Sequence, residues 1–422
     1  MNLAAGDTRA AIDVCRERYG DAFVFGFGAI RFHWLVGVEA NRFVLFERPE
    51  AFRNRAAYRF LEPIGGPTAL IVSDEPAHLQ RRRRVQPAFH RQRLAAWTER
   101  AVAAFDGWAA DLPARGETAL QPALRGVVLD LVIDVLLGPG TRARHPTLRR
   151  DLAAMMAFAN QPFLAQLFRV PLPGTPWQRF RAARRRVDAV LYAEIARRRA
   201  TPEALDESVV SLLLSTEGEG AVLDDAELRD QAVSLVSAGF DTTTAALTWC
   251  AWLLCDEALR ARVEADLGGR DDAEVAGHAT IDALWREALR LYPPAPAILR
   301  VAAEQVTWRG MTLEPGALVG LSTYHTHRDE AWWRDASAVR LERWTHEDEA
   351  WAAPREPFAY LPFGHGARYC IGAGLARTLA GACLAVMLRR LRWRSLEPER
   401  VRPVGTTLSP TGGLRLSFES RR

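Results

Sequence analysis

The stretch "YLPFGHGARYCIGAGLARTLAGACLAVMLRRL" (residues 360–391) presents one cysteine, Cys370, between a glycine-rich turn and an apolar, basic run with helical periodicity. Gly364, Gly366 and Gly372 permit backbone angles that a Cβ atom would forbid, so the chain can turn tightly and approach a flat ligand closely. The thiol then lies at the start of a helix, where the helix dipole and free N–H groups favour a thiolate.

Two interpretations of this thiolate follow from the residues. It is a fifth ligand for haem iron, with Phe363 available to shield it, or it is a catalytic nucleophile with His365 as its base. A structural zinc site is excluded because it needs four ligands. The spacing of residues favours haem but leaves both interpretations open.

Composition places the chain in a broad class. It has 422 residues, of which 49% are hydrophobic, enough for a large buried core. We find no linker, low-complexity tract or internal repeat, so one domain spanning residues 1–422 is expected. The start lacks the design of a signal peptide. Five cysteines without a CxxC pair fit a reducing compartment, which predicts a cytoplasmic protein.

The charge distribution excludes several reactions. All 55 basic residues are arginines, so a lysine Schiff base and a P-loop lysine are ruled out. The run "QRRRRVQ" (80–86) suggests nucleic acid, but 51 acidic residues nearly balance the arginines and no aromatic platform interleaves with the run. A solvated or partner-facing helix is therefore the favoured interpretation, with no nucleic-acid partner.

Hydrophobic periodicity predicts a mainly α fold with a smaller β region. Residues 8–19 are expected to be helical, and 21–37 to form a β-hairpin around Gly26 and Gly28. The predicted β-rich parts are about 21–60, 297–325 and 405–420, and the helical body is about 77–292 and 371–391. Strands from distant parts of the sequence indicate one interwoven domain.

The longest predicted helix covers residues 223–260 and starts at a capping box, Asp224 with Glu227. From Gln231 to Cys255 the only charged residue is Asp241. Such a run could span a membrane. A helix buried in a large core is favoured, because both flanks are amphipathic and no second span is present.

Asp241 is anomalous because an isolated carboxylate in an apolar helix is costly. It is followed by three threonines, 242–244, whose hydroxyls can bond the backbone of the preceding turn, and Gly239 loosens the same turn. One interpretation is a satisfied core aspartate beside a helix irregularity. The other is a distorted turn that holds an acid and an alcohol beside a ligand.

Five motifs in order give the chain a resemblance to a known family. They are "HLQRRRRVQPAF" (78–89), "AGFDTT" (238–243), the pair Glu287 and Arg290 (E-x-x-R), "VRLERW" (339–344) with Arg343, and "FGHGARYCIG" (363–372), which matches F-x-x-G-x-R-x-C-x-G. Over roughly residues 20–420 the chain resembles the cytochrome P-450 haem-thiolate monooxygenases. One departure is Leu379, where the family usually carries a glutamate.

The resemblance implies haem b held between a long distal helix and the cysteine loop, with Cys370 as the iron ligand. It also implies a role for each matching residue. Asp241 and Thr242 would be catalytic and deliver protons, and Glu287, Arg290 and Arg343 would stabilise the core on the cysteine side. The other matching residues would bind the cofactor. The haem propionates would be bound by His78, Arg82, Arg300, Arg368 and His365. The rest of the haem would be bound by Ala238, Thr242, Phe363, Gly364 and Gly372.

The resemblance also implies the reactants. Dioxygen and a small hydrophobic substrate, such as a terpenoid, steroid, fatty acid or polyketide, would meet in a pocket walled by residues 62–72, 155–168 and 294–299. Electrons would come from a separate ferredoxin or flavodoxin with its reductase. Charge steering predicts that this donor docks on exposed arginines such as Arg83, Arg84, Arg91 and Arg377. A monomer without membrane insertion is expected. A peroxide-using or rearranging enzyme and a non-catalytic haem sensor are alternatives, and the acid–alcohol pair argues against both.

Overall fold

A computed structural model describes residues 8–27, 30–159, 169–170, 172–215, 223–345, 349–405 and 407–421. Contacts between residues group the chain into two compact units, each assembled from separate stretches of sequence. The first unit contains Met1–Arg53, Leu94–Leu124 and Thr242–Arg422, and the second contains Asn54–Arg93 and Arg125–Asp241. The single interwoven domain stays a prediction.

Helices make up most of the described chain, as the apolar periodicity predicted. Those of seven or more residues in the described ranges are α1 Thr8–Tyr19, α2 Ala77–Val85, α3 Arg91–Ala110, α4 Leu120–Leu137, α5 Leu148–Ala159, α6 Pro176–Ala200, α7 Val209–Ser215, α8 Asp225–Leu253, α9 Glu257–Leu267, α10 Ala279–Leu291 and α11 Ala373–Arg390. Shorter helices include Val38–Arg42, Arg55–Tyr58, Glu62–Gly65, Leu112–Arg115, Thr141–Arg144, Asp272–Ala276, Thr323–Thr326 and Glu342–Thr345.

Every strand found in the described residues belongs to the first unit. The strands are β1 Ala22–Phe27, β2 Ile30–Leu35, β3 Phe52–Arg53, β4 Glu117–Ala119, β5 Ala297–Ala302, β6 Val306–Trp308, β7 Met311–Leu313, β8 Leu318–Ser322, β9 Leu391–Ser395, β10 Pro403–Val404, β11 Ser409–Pro410 and β12 Arg415–Ser420. They form sheets in the orders β1-β2-β8-β5-β3, β4-β12-β9, β6-β7 and β10-β11.

The five-stranded sheet joins the predicted N-terminal hairpin to the strands near residue 300. β1 and β2 pair antiparallel, which confirms the hairpin, and Phe32 of β2 pairs in parallel with Leu318 of β8. Trp34 of β2 covers the backbone of β8 at Gly320, where a Cβ atom would lie 2.9 Å from the indole ring. A glycine is therefore required at this position of a central strand.

The structure corrects several predicted boundaries. The first β-rich part ends at Arg53 and not near residue 60, because residues 38–47 and 55–65 form helical turns. The predicted helix 223–260 is two helices, α8 and α9, separated at residues 254–256. Asp256 begins α9 by accepting a hydrogen bond from the Leu259 N–H at 2.9 Å. The strands β4 and β9 were not predicted.

Helix α8 begins as predicted, since the Asp224 carboxylate accepts a hydrogen bond from the Glu227 N–H at 2.7 Å. It is continuous from Asp225 to Leu253, so the expected distortion at Gly239–Thr244 does not interrupt the helix. Most of its apolar side chains are buried. No helix in the described parts of the chain combines the length and hydrophobicity that crossing a membrane requires.

Candidate functional site

The cysteine loop is a tight turn that exposes its thiol. Gly364 and Gly366 have φ values of 73° and 65°, a region that favours glycine. The Cys370 N–H donates to the Phe363 carbonyl at 2.8 Å and closes the loop. Cys370 is exposed, and it lies three residues before the first residue of α11, whose N-cap is Gly372. The loop therefore presents a sulfur atom at a helix start.

Aromatic rings surround this loop within the first unit. The Phe363 and Tyr369 rings lie 6.2 Å apart, and the His365 ring lies 4.5 Å from the ring of Phe358. Burial, with a smaller contribution from Cys370, raises the pKa of Tyr369 above its ordinary value. Arg368 ends the short helical turn Gly366–Arg368 and is half-buried.

The E-x-x-R pair forms a buried network in the first unit, together with Arg343. Arg290 donates to both Glu287 oxygens at 2.9 and 2.8 Å, and Arg343 donates to Glu287 at 3.4 Å. The indole N–H of Trp344 adds a bond of 3.0 Å. Burial, and then repulsion from Arg290, lower the pKa of Arg343. The structure thus brings Arg343 into contact with Glu287, which lies 56 positions earlier in the sequence.

A histidine that sequence analysis missed connects this network to the cysteine loop. Arg290 donates to the His327 carbonyl at 3.0 Å, and the imidazole Nε2 of His327 accepts the Leu361 N–H at 2.8 Å. Leu361 lies two residues before Phe363. Burial, followed by the charges of Arg290 and Arg328, lowers the pKa of His327 to about 3, so the ring stays neutral and can accept.

Two further site residues lie on separate elements. Arg300 is on β5, is 8% exposed, and donates to the neighbouring Leu299 carbonyl at 2.8 Å. His78 lies in the first turn of α2 with a side chain that is 3% exposed, and its Nδ1 is 2.9 Å from Glu75 Oε1. Arg82 follows one turn later, so His78 and Arg82 share a face of α2. Glu75 was not predicted as a partner.

Helix α8 has a face that protein side chains leave partly uncovered. Ala238 is exposed, and Leu235, Gly239 and Thr242 are half-buried, although the neighbouring Phe240 and Thr243 are buried. Spacings of three, four and seven residues put these four positions on one side of the helix. A gap in packing along one side of an otherwise buried helix fits a flat, apolar ligand.

The acid of this helix has a basic partner that the sequence did not reveal. Arg125 of α4 lies 2.9 Å from Asp241 Oδ1, and its guanidinium is 4.9 Å from the centre of the Phe240 ring. Asp241 is 13% exposed and Arg125 is 34% exposed. The ion pair explains how an apolar helix tolerates the carboxylate, and it leads from the helix toward solvent. Nothing in the sequence near Arg125 marks this contact.

The predicted pocket segments have different surroundings. Residues 160–168 lie outside the described chain. In the described part of that segment, Met155 and Met156 are fully buried, and the Phe158 ring lies 4.9 Å from that of Phe180. These side chains are buried in the second unit. The other two segments, 62–72 and 294–299, include half-buried or exposed residues.

Comparison with known proteins agrees with these observations. The family model described as "Cytochrome P450" matches residues 3–416. The chain belongs to the cytochrome P450 family. It is 32% identical to cytochrome P450 139 of Mycobacterium tuberculosis over 93% of each chain, and 29% identical to cytochrome P450 135B1 of the same species over 97% of this chain and 87% of the relative.

Solved structures show the same fold. The chain matches a retinoic acid-bound cyanobacterial CYP120A1 with a TM-score of 0.86 and 24% identity, covering 99% of this chain and 96% of the other. It also matches the cytochrome P450DA heme domain with a TM-score of 0.82 and 22% identity, covering 100% and 95%. The predicted fold class, mainly α with a smaller β region in the P450 architecture, is confirmed.

Membership of this family makes the protein a haem monooxygenase that holds haem b through a cysteine thiolate. The residues present fit that group. Cys370 supplies an exposed thiol at a helix start, and the side of α8 that carries Ala238 and Thr242 is small and uncovered. The nucleophile interpretation of Cys370 is therefore set aside.

Proposed function

We propose that the protein inserts one atom of dioxygen into a small hydrophobic substrate, by hydroxylation or epoxidation, with electrons from separate redox proteins. The observation that carries this proposal is the uncovered side of α8. It ends in an alcohol, Thr242, that directly follows an ion-paired acid, Asp241. A protein that only binds haem, or an enzyme that only rearranges its substrate, would not need an acid and an alcohol at this position.

When bound, haem supplies dioxygen binding and activation through its iron, with the thiolate donating electron density. In our proposal Cys370 would ligate the iron, and the positive φ of Gly364 would let the loop approach the haem ring. Phe363, Ala238, Thr242 and Gly372 would bind the macrocycle. His78, Arg82, Arg300 and Arg368 would bind the propionates, with help from His365, because cationic donors stabilise buried carboxylates.

Glu75 has a positioning role in this proposal. Its carboxylate accepts the Nδ1–H of His78, which leaves Nε2 as the ring atom available to a propionate. Glu287, Arg290 and Arg343 have, in this proposal, the structural role that the family resemblance implied. His327 extends that role by linking the network to the chain entering the cysteine loop.

Proton delivery is assigned to Asp241 and Thr242. The Thr242 hydroxyl would hold a proton at the uncovered side of α8, and Asp241, one residue earlier and about 100° around the helix axis, faces another direction. Arg125 holds the Asp241 carboxylate and is itself one-third exposed, so the pair provides a path for protons between solvent and the helix. Asp241 has to exchange partners between Arg125 and a proton-carrying water in each cycle.

The proposal also covers the cellular compartment, the oligomeric state and the electron donor. We propose a cytoplasmic monomer of one domain whose electron donor is an acidic ferredoxin or flavodoxin with its reductase. Arg83 is exposed and Arg84 is half-buried on α2, and Arg377 is 64% exposed although it pairs with Asp282 at 2.7 Å. The side chain of Arg91 lies outside the described atoms. Exposed arginines attract an acidic partner over a Debye length.

One experiment tests the centre of the proposal. Reduced holoprotein with carbon monoxide is expected to show the red-shifted absorption band of a thiolate opposite the gas, and Cys370→His to move the band to the position typical of imidazole. Cys250→Ser, a change at a fully buried cysteine, is the matched control. A Cys370→His band identical to that of the unmodified protein would contradict the assignment.

A second set of variants separates oxygen insertion from simple haem binding. Asp241→Asn is expected to lower the turnover of a hydroxylated test substrate by about 10²-fold or more with normal haem content, since a positioned proton donor is lost. Thr242→Ala should consume reductant and release it as hydrogen peroxide. Wild-type rates and coupling in both variants would refute proton delivery by this pair.

A further inference from the structure

The segment before α2, residues 62–72, is fastened to α8 at one aspartate. Thr68 donates twice to Asp230 Oδ2, from its backbone N–H at 3.0 Å and from its hydroxyl at 2.8 Å. The next residue of α8, Gln231, donates from Nε2 to the Thr68 carbonyl at 2.8 Å. The Asp230 side chain is only 7% exposed, so these bonds are protected from water.

The same aspartate belongs to a chain of charges that returns to the segment. Arg229, 2% exposed, donates to Asp230 at 2.9 Å and to Asp188 of α6 at 2.6 Å. Arg184, one turn earlier on α6, lies 3.5 Å from Asp188 and donates to the Pro63 carbonyl at 2.8 Å. The six residues Pro63, Thr68, Asp230, Arg229, Asp188 and Arg184 thus form a closed set of contacts, which we call the polar ring.

Two glycines allow the segment to approach α8 this closely. Gly66 has φ 90°, and a Cβ atom there would lie 1.9 Å from a carboxylate oxygen of Asp230. A Cβ at Gly65 would lie 3.2 Å from the Cβ of Ser234, one turn further along α8. Any side chain at Gly66 would displace the carboxylate, so the glycine and the aspartate are matched to each other.

The polar ring is poorly suited to stability alone. Burying Arg229 and Asp230 carries a large desolvation cost, which apolar side chains of similar volume would avoid. The ring does, however, fix the distances between three separate pieces of the second unit, namely the segment 62–72, α6 and α8. Asp230 lies about three helical turns before Asp241, so the ring is remote from the reacting atoms.

We propose that the polar ring is a specificity-determining device that holds residues 62–72 against α8 and so limits the size of ligands that reach the haem. This inference rests on the proposed function, in which that segment walls the substrate pocket. The charged members of the ring, Asp230, Arg229, Asp188 and Arg184, are positioning residues that act on the pocket through residues 62–72. Loosening the ring admits bulky apolar ligands faster and leaves the access of small ligands almost unchanged.

Stopped-flow binding of two probes to the holoprotein tests this inference. 1-Phenylimidazole is a bulky apolar ligand, and carbon monoxide is a small one. Asp230→Asn keeps the shape but removes the charge that Arg229 needs, and Thr68→Val removes one hydroxyl donor. Each is expected to raise the association rate of phenylimidazole at least fivefold and that of carbon monoxide less than twofold. Using two variants keeps the test decisive if one fails to fold.

The chain offers a matched control on the same helix. Asp225 of α8 also pairs with an arginine of α6, Arg199, at 2.9 Å, but it is 49% exposed and is not part of the polar ring. Asp225→Asn is expected to leave both association rates within twofold of the unmodified protein. Equal acceleration of both probes, or an equal effect of Asp225→Asn, would overturn the inference.

Hydrogen exchange gives a readout that does not depend on ligands. The Thr68 amide should exchange at least tenfold faster in Asp230→Asn than in Asp225→Asn, because its acceptor is weakened. Unchanged exchange and unchanged phenylimidazole rates in folded Asp230→Asn and Thr68→Val would refute the polar ring alone. An unmodified protein that gives no haem-band shift with phenylimidazole would refute the proposed pocket, and this inference with it.

Discussion

Each compact unit contains a buried carboxylate surrounded by arginines, and the two networks differ in how far their arginines are exposed to solvent. Around Glu287, Arg290 and Arg343 are buried and donate their other protons to backbone carbonyls. Around Glu194 of α6, Arg198 is fully buried, but Arg144 and Arg197 are 39% and 34% exposed. The first network is closed by protein, and the second reaches water.

The difference shows what each network can do. The carbonyls bound by Arg290 belong to His327, Ala336 and Ala338, which lie in a stretch with little regular secondary structure. The Glu287 network therefore shapes a loop region that its backbone would not define by itself, and through His327 it reaches the cysteine loop. The Glu194 network joins α6 to its neighbours, which are already helical.

The largest expected effect is from Glu287→Gln. Arg290 and Arg343 would lose the carboxylate that they share in a fully buried site, and breaking such a buried pair costs about 3–5 kcal/mol. Denaturant unfolding of the holoprotein and its haem content measure the loss. Asp282→Asn, on the same helix and paired with the exposed Arg377, should cost about 0.5 kcal/mol. Equal losses of unfolding free energy in the two variants would contradict the idea that burial makes the Glu287 network important for stability.

The second prediction concerns pH in the first unit. The pKa of His327 is lowered to about 3 by burial and by the charges of Arg290 and Arg328. An unfolded histidine takes up its proton near pH 6.5, so between pH 6.5 and 3 the unfolded chain binds more protons and stability falls as pH falls. At pH 5.5 the loss of stability due to His327 is about 1.4 kcal/mol relative to alkaline pH.

His327→Gln retains an acceptor for the Leu361 N–H but does not titrate. The slope of unfolding free energy between pH 7 and pH 5 should therefore decrease by about 0.7 proton on average relative to the unmodified protein. His90→Gln, at an exposed position, is the control and should keep the slope. An unchanged slope in His327→Gln would mean that this histidine does not limit acid stability.

How visible these networks are in the sequence depends on their motifs. Glu287, Arg290 and Arg343 were predicted because they match a family pattern at defined places. Glu194 and Arg198 show only a four-residue spacing that occurs on many helices, and Arg144 lies 50 positions away. His327 and Arg125 likewise act through contacts between distant segments. Periodicity reports which side of a helix is apolar, but it does not report which charge meets which.

The elements of the fold were likewise predicted where local sequence signals define them. The hairpin, α1 and the start of α8 were predicted because local signals, alternation and a cap, define them. The end of α8 was misplaced because the apolar run continues through Leu254 and Cys255, while the break is set by the cap at Asp256. Strand β9 was missed because five residues that directly follow α11 are too short a run to show alternation against a helical background.

The third prediction concerns pH in the second unit. Burial raises the pKa of Glu194, but hydrogen bonds from Arg144 and Arg197 and the charge of Arg198 outweigh it and lower the pKa to about 2. The stability due to Glu194 is therefore present above pH 4.5 and is lost as pH falls toward 2. This interval is narrower than that of His327 and lies at lower pH.

Glu194→Gln should lower stability at pH 7 and flatten its pH dependence below pH 4.5, without changing the slope between pH 7 and pH 5. Thermal unfolding across pH 7 to 3 measures both effects. His327→Gln is the complementary control, since it alone should change the slope between pH 7 and pH 5. A change of slope above pH 5 in Glu194→Gln would show that the two networks are not independent.

The smallest effect is expected at the rim of the Glu194 network. Arg144 donates to both oxygens of Glu194, at 2.7 and 2.9 Å, but its side chain is 39% exposed and is solvated in either state. Arg144→Gln leaves Glu194 with Arg197 and Arg198, so the cost should be about 0.5–1 kcal/mol. Arg198→Met provides the contrast, because Arg198 is fully buried and also bonds Ser211 at 3.0 Å. Removing it should cost about 2–3 kcal/mol through unpaired buried acceptors. Equal losses of unfolding free energy in the two variants would mean that the exposure of an arginine does not determine its contribution to this network. The proposed difference between the solvent-accessible Glu194 network and the buried Glu287 network would then be wrong.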